Sequence, residues 1–157
     1  MHVPMKSAYP VLTLIDTLCS LINIKQGNKE GILTYLERFK AERNVVLSLF
    51  GDTILSGYVE NTDDYKSITG TDVDAQQKKM KKEAQERFFA VLFLRNSDGA
   101  RFGKLLPEFR QAYANGKRDL YPKDVATAFD IMRTLPTKKK PKTPKQDGKK
   151  RRKRTWQ

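Results

Sequence analysis

Residues 83–106 read EAQERFFAVLFLRNSDGARFGKLL and contain the longest nearly continuous apolar run of the chain, FFAVLFL at residues 88–94. A helix that is apolar on almost every side is usually buried on almost every side. We therefore expect a central helix over residues 75–95, with the other helices packed around it. The polar residues Asn96, Ser97 and Asp98 that follow favour a turn and the start of a new helix.

Apolar residues at helical spacing predict five further helices around this one. They cover residues 11–23, 30–50, 53–60, 99–113 and a last segment that begins at Pro122 and ends before Pro136. Pro107 lies inside the segment 99–113, and a proline inside a helix costs about 3 kcal/mol or kinks the helix. That segment is therefore expected to bend at Pro107 or to divide there into two short helices. No stretch shows the pattern of a strand, so the prediction is an all-α helical bundle of about six helices over residues 11–136, after an irregular N-terminus at 1–10.

The expected structural core consists of large apolar side chains on the predicted inner faces of these helices. It contains Leu36, Phe39, Phe88, Val91, Leu92, Phe102, Leu106, Phe109 and Phe129. Cys19, the only cysteine, is expected to pack on an apolar face of the first helix. A single cysteine excludes an internal disulfide and a cysteine-rich zinc site.

The positive charge of the chain is concentrated at its C-terminal end. Residues 138–157 carry eleven Lys or Arg and one acid, a net charge of +10, whereas residues 1–137 carry twenty cations and seventeen acids. This composition predicts a disordered basic tail over residues 137–157. Its cations can neutralise phosphates and release counterions, which gives salt-sensitive binding to RNA or DNA. The predicted nucleic-acid-binding residues are Lys138, Lys139, Lys140, Lys142, Lys145, Lys149, Lys150, Arg151, Arg152, Lys153, Arg154 and Trp156, the last as a ring on which a base could stack.

Catalytic and cofactor motifs do not stand out in this sequence. It contains no HExxH, no phosphate-binding loop of the Walker type and no GxSxG, and its one histidine is His2. The aspartates at 63, 64, 72 and 74 lack the spacing of a calcium loop. We therefore predict no enzyme, no metal, no cofactor and no small-molecule substrate. The first apolar segment is interrupted by Asp16 and Asn23, and no stretch is long enough for a membrane span, so no membrane partner is expected.

Five groups of residues occur in order along the chain: LTYLERFK at 33–40 with Arg43, Val59-Glu60 with Thr62 and Tyr65, FLRNSD at 93–98, Phe102-Gly103 with Leu105, and YPK at 121–123 with Ala126 and Asp130. Together they resemble the Gag polyproteins of copia-type LTR retrotransposons. The resemblance covers roughly residues 8–135. It implies a capsid-like helical fold that self-assembles into particles around RNA, with the basic tail in the nucleocapsid role. Many such Gags end in a zinc knuckle, C-x2-C-x4-H-x4-C, whose residues are not found in this chain.

Two functional hypotheses follow from the sequence. The first is a Gag-like structural protein that self-associates and packages RNA through its tail. The second is a monomeric nucleic-acid-binding module, nuclear or ribosome-associated, whose helical body contacts another protein. The first predicts cytoplasmic virus-like particles, whereas the cluster KKRRKR at 149–154 resembles a nuclear-import signal and leaves a nuclear location open.

Overall fold

The computed structural model describes residues 9–51 and 54–135, which form helices and turns without a strand. Eight helical segments lie in this part of the chain: α1 Pro10–Ile22, α2 Ile32–Phe50, α3 Ser56–Glu60, α4 Asp63–Lys66, α5 Val73–Arg95, α6 Gly99–Phe102, α7 Leu105–Ala114 and α8 Val125–Thr134. The all-α prediction is confirmed. The number exceeds the expected six because α4 is a single turn inside a predicted loop, and because the segment 99–113 divides into α6 and α7. The predicted irregular residues 1–8, the start of the third predicted helix at residue 53 and the predicted disordered tail lie outside the described residues.

Proline positions agree with the ends of two helices. Pro10 lies in the first turn of α1, and Pro107 is the third residue of α7. The first four N–H groups of a helix have no partner inside the helix, so a proline there removes no hydrogen bond. The expected break at Pro107 is therefore wrong, and the chain turns earlier, at Gly103 and Lys104. A side chain at Gly103 would collide with the carbonyl oxygen of Gly99, which makes glycine necessary in this turn.

An aromatic cluster of Tyr35, Phe39 and Phe93 joins α2 to α5 at the centre of the fold. All three side chains are fully buried. The ring of Phe93 stacks on Tyr35 at 4.5 Å between centroids and meets Phe39 edge to face at 5.1 Å. The hydroxyl of Tyr35 donates a hydrogen bond of 2.7 Å to the backbone oxygen of Phe93, so the one polar atom of the cluster is satisfied. Helix α5 contacts α2, α3, α7 and α8, which is the central position that the sequence predicts.

The nine predicted core residues divide into three groups. Leu36, Phe39 and Phe102 are buried. Phe88, Leu92, Leu106, Phe109 and Phe129 are partly buried and pack against the core. Val91 corrects the prediction, because it is half-buried and lies outside the core cluster. Its position is about 200° around α5 from the buried Phe89, so the two side chains point to opposite sides of the helix.

Candidate nucleic-acid interface

The twelve residues predicted to bind nucleic acid, from Lys138 to Trp156, lie outside the described residues. Their role stays a prediction from the sequence. The described body has charged, polar and apolar features of its own, which include an acidic segment, a buried polar cluster between helix ends, a charged groove and an exposed apolar stripe.

Negative charge is concentrated in the segment that contains α3 and α4. Residues 60–74 include Glu60, Asp63, Asp64, Asp72 and Asp74 against a single lysine, and the carboxylates at 63, 64, 72 and 74 are exposed. Glu60 is held by Lys81 of α5 at 2.6 Å. A segment of this charge repels phosphate, so we do not expect nucleic acid to bind here.

A buried polar cluster connects the turn between α1 and α2 to the turn between α5 and α6. The backbone N–H of Gln26 donates to the oxygen of Asn96 at 2.9 Å, and its side chain bonds the oxygen of Glu30 and the N–H of Asp98. The amide of Asn96 donates 2.7 Å to the oxygen of Ile22. Gln26 and Asn96 are only 6% and 5% exposed. The hydrogen bonds within the cluster therefore take the place of the hydrogen bonds to water that both side chains lose on folding.

Two ion pairs lie at the edge of this polar cluster. Arg38 binds both carboxylate oxygens of Glu30, at 2.8 and 2.7 Å. Arg101 donates 2.8 Å to Asp98 and also reaches the backbone oxygens of Gly27 and Glu30. The hydrogen bonds from Arg38 and Arg101 lower the pKa values of Glu30 and Asp98, respectively. Both carboxylates already have a guanidinium partner, so the cluster positions helix ends and does not offer a binding site.

The pH dependence of folding tests this assignment. In the unfolded chain Glu30 and Asp98 return to ordinary pKa values of 4.5 and 3.8, above those of the folded state. The stability they contribute is therefore fully present above the ordinary values and is lost as the pH falls through the folded ones. We expect Glu30→Gln to lower the free energy of unfolding at pH 7 and to weaken its decline as the pH falls below about 4.5, as measured by urea denaturation. Glu37→Gln, which removes an exposed carboxylate on α2 that forms no ion pair in the described part of the chain, is the matched control for the change in charge.

A groove of about 520 Å³ separates α5 from the segment that precedes α8. Its walls carry four cations, Lys79, Lys82, Arg87 and Lys123, and three carboxylates, Glu83, Glu86 and Asp124. The carboxylate of Asp124 accepts a 2.8 Å hydrogen bond from the N–H of Thr127 and caps α8, which lowers its pKa. Lys82 lies 3.9 Å from Glu86, a weak surface pair. The groove therefore has mixed charge with a small positive excess, and by itself it does not define a ligand.

Helix α1 is largely exposed. Of its apolar residues at helical spacing, which are Val11, Leu14, Ile15, Leu18, Leu21 and Ile22, only Leu21 is buried. Leu12, Ile15 and Ile22 are 53%, 51% and 44% exposed, and Cys19, expected to pack inside, is exposed as well. Among the described helices, α1 makes its main contacts with α2.

The exposed residues of this face have a regular spacing. Leu12, Ile15, Cys19 and Ile22 follow each other at intervals of three, four and three, the spacing of the contact seam of a coiled coil. We call these four residues the α1 stripe. Apolar surface of this kind on a folded protein commonly marks a place where another molecule packs.

In the part of the chain that the structure describes, no three His, Cys, Asp or Glu side chains come together as a metal site would require. None of the helices in residues 9–51 and 54–135 has both the length and the apolar character needed to cross a membrane. Comparison of the chain with protein-family models, with curated proteins and with solved structures found no match.

Proposed function

We propose that this protein is a Gag-like structural protein, similar to those of copia-type retrotransposons, that self-associates and packages RNA. The observation that carries the proposal is the combination of two features. One is a helical body whose α1 stripe is exposed among the residues that the structure describes, and the other is a C-terminal segment with a net charge of +10. The first supplies a surface for subunit contacts, and the second supplies cations for the phosphates of RNA.

The residues that carry the resemblance to Gag proteins support the proposal by their positions. In the stretch 33–40, Tyr35, Leu36 and Phe39 are core residues and Arg38 binds Glu30. In the stretch 93–98, Phe93 completes the aromatic cluster and Asn96 connects two turns. Part of the resemblance therefore lies in residues that pack the helices, whereas other residues that carry it, among them Leu33, Lys123 and Asp130, are exposed.

The α1 stripe supports self-association, because its spacing fits another helix of the same kind. Two copies of one helix can pair around a twofold axis, in which the same surface is used by both subunits. Each copy would then cover the leucine and isoleucine side chains that the other leaves exposed. Burying apolar area of this kind stabilises an interface by about 25 cal/mol per Å².

A charge placed in the stripe tests this role. The double substitution Leu12→Glu and Ile15→Glu should leave the fold intact, because both side chains are exposed, and should abolish assembly in the presence of RNA. Sedimentation velocity of the full chain mixed with a generic single-stranded RNA measures the effect, and circular dichroism checks the fold. Tyr58→Glu on α3 is the matched control, since Tyr58 is 71% exposed and lies outside the stripe. Assembly of the double variant at wild-type size would contradict the role of the α1 stripe.

A further inference from the structure

An exposed aromatic side chain lies at the C-terminal end of α7. Tyr113 follows Phe109 at helical spacing, yet its side chain is 44% exposed. The guanidinium of Arg118 lies over the Tyr113 ring at 4.5 Å from its centroid, and it donates a 2.9 Å hydrogen bond to the hydroxyl. Behind Tyr113, the ring of Tyr121 packs at 6.2 Å, and Tyr121 in turn packs on Phe109 at 5.5 Å. An exposed ring is therefore held in place from two sides.

Cations without acidic partners surround this ring. Arg110 lies one helical turn before Tyr113, and Lys117 follows in the turn after α7, where its N–H donates to the oxygen of Ala112. Arg110, Lys117 and Arg118 are exposed, and none of them takes part in an ion pair within the described residues. We call Arg110, Tyr113, Lys117 and Arg118 the α7 corner.

Helix electrostatics explains only part of this arrangement. Cations at the C-terminal end of α7 offset the partial negative charge of the helix end and stabilise it. That effect requires no exposed aromatic ring beside the cations. Single-stranded nucleic acid is bound by this combination of groups. Its bases stack on aromatic rings or on arginine guanidinium planes, and its phosphates contact nearby cations.

We propose that the α7 corner is a second binding surface, located in the folded body, for single-stranded nucleic acid. A base stacks on the ring of Tyr113 or on the plane of Arg118, and Arg110 and Lys117 contact the neighbouring phosphates. The inference rests on the proposed function for its partner, RNA, and adds a site that is independent of the basic tail. Arg118 and Lys123 are five residues apart, so at most about 18 Å of chain separates the α7 corner from the first cation of the groove, and the bound strand can continue in that direction.

The test measures affinity of the full chain for a twelve-nucleotide oligo(U), the matching oligo(dT) and a duplex of the same length, by fluorescence anisotropy. Tyr113→Leu keeps the apolar packing against Tyr121 and removes the aromatic plane. We expect it to weaken binding to both single strands between about fivefold and about a hundredfold and to leave duplex binding unchanged, because stacked bases in a duplex cannot reach the ring. Similar losses of affinity for oligo(U) and oligo(dT) would show that the site binds RNA and DNA single strands alike. A larger loss for oligo(U) would show that it prefers RNA.

Matched variants separate stacking from charge and from folding. Tyr113→Phe should bind like wild type, whereas Lys117→Ala should reduce the salt dependence of oligo(U) binding by about 0.7 in log–log slope. Tyr58→Leu is the control for an exposed tyrosine, since it lies next to the acidic segment and should have no effect. Two results would overturn the proposal. One is equal oligo(U) affinity of the Tyr113→Leu and Tyr58→Leu variants, and the other is an equal loss of affinity of Tyr113→Leu for single strands and for the duplex.

The failure of this inference is distinct from the failure of the proposed function. If alanine at residues 149–154 weakens binding and Tyr113→Leu does not, the tail assignment stands and the α7 corner is excluded. If Tyr113→Leu weakens binding and the tail substitution does not, the α7 corner stands and the tail assignment is wrong.

Discussion

Replacing the six cations of residues 149–154 by alanine is expected to weaken binding of the full chain to single-stranded RNA by about two to four orders of magnitude near 0.1 M salt. Each phosphate contact on a single strand contributes about 0.7 to the slope of log affinity against log salt, so the slope should fall by about four. Filter binding or fluorescence anisotropy over a series of salt concentrations measures both quantities.

A scrambled tail with the same composition is the matched control for this experiment. Electrostatic binding depends on the number of cations and little on their order, so the scrambled variant should bind like wild type. A loss in the scrambled variant as large as in the alanine variant would show that the tail recognises RNA through its sequence. Unchanged affinity of the alanine variant would remove the tail from the functional account.

The substitution Phe93→Ala is expected to destabilise the body by about 3–5 kcal/mol, the usual cost of truncating a fully buried phenylalanine. The reason is local, since the ring of Phe93 stacks on Tyr35 and meets Phe39, and the cavity left behind would be enclosed by both. Such a loss is a large part of the roughly 5–15 kcal/mol by which domains of this kind are stable. Thermal and urea denaturation followed by circular dichroism measure it.

Phe88→Ala is the informative comparison, because the sequence ranks Phe88 among the core residues while the structure places it half-buried beside the core. Its truncation should cost roughly half as much as that of Phe93, in proportion to the area withdrawn from water. Equal losses for the two variants would contradict the position of α5 in the fold.

The long amphipathic helices could be predicted from the sequence because their polar and apolar faces are distinct. In α2, Leu36, Phe39 and Val46 recur at helical spacing between charged residues, and all three are buried. In the run 88–94 every residue is apolar, so the spacing indicates a buried helix but cannot say which side faces the centre. For this reason the sequence analysis lists Val91 as a core residue of this run, whereas the structure buries Phe89 and Phe93.

Contacts between distant parts of the chain could not be predicted in the same way. Gln26 and Asn96 are ordinary polar residues in two turns, and only the fold brings them together. Helix α1 shows the converse case, since helical spacing predicts the helix itself, whereas the burial of Cys19 depends on whether a neighbouring helix covers it, and Cys19 is exposed. Tyr113 is exposed for a similar reason. Helical spacing predicts which face of α7 it lies on, but it lies at the end of the helix, where that face extends beyond the packed core.

The most direct test of the Gag-like proposal is the solution mass of the purified full chain, measured by light scattering with and without a generic single-stranded RNA, at low and at high salt. The proposal predicts growth to assemblies of many subunits that RNA strengthens and that high salt weakens. A protein that stays monomeric under all four conditions, while still binding RNA at low salt, would contradict self-association and favour a monomeric nucleic-acid-binding module.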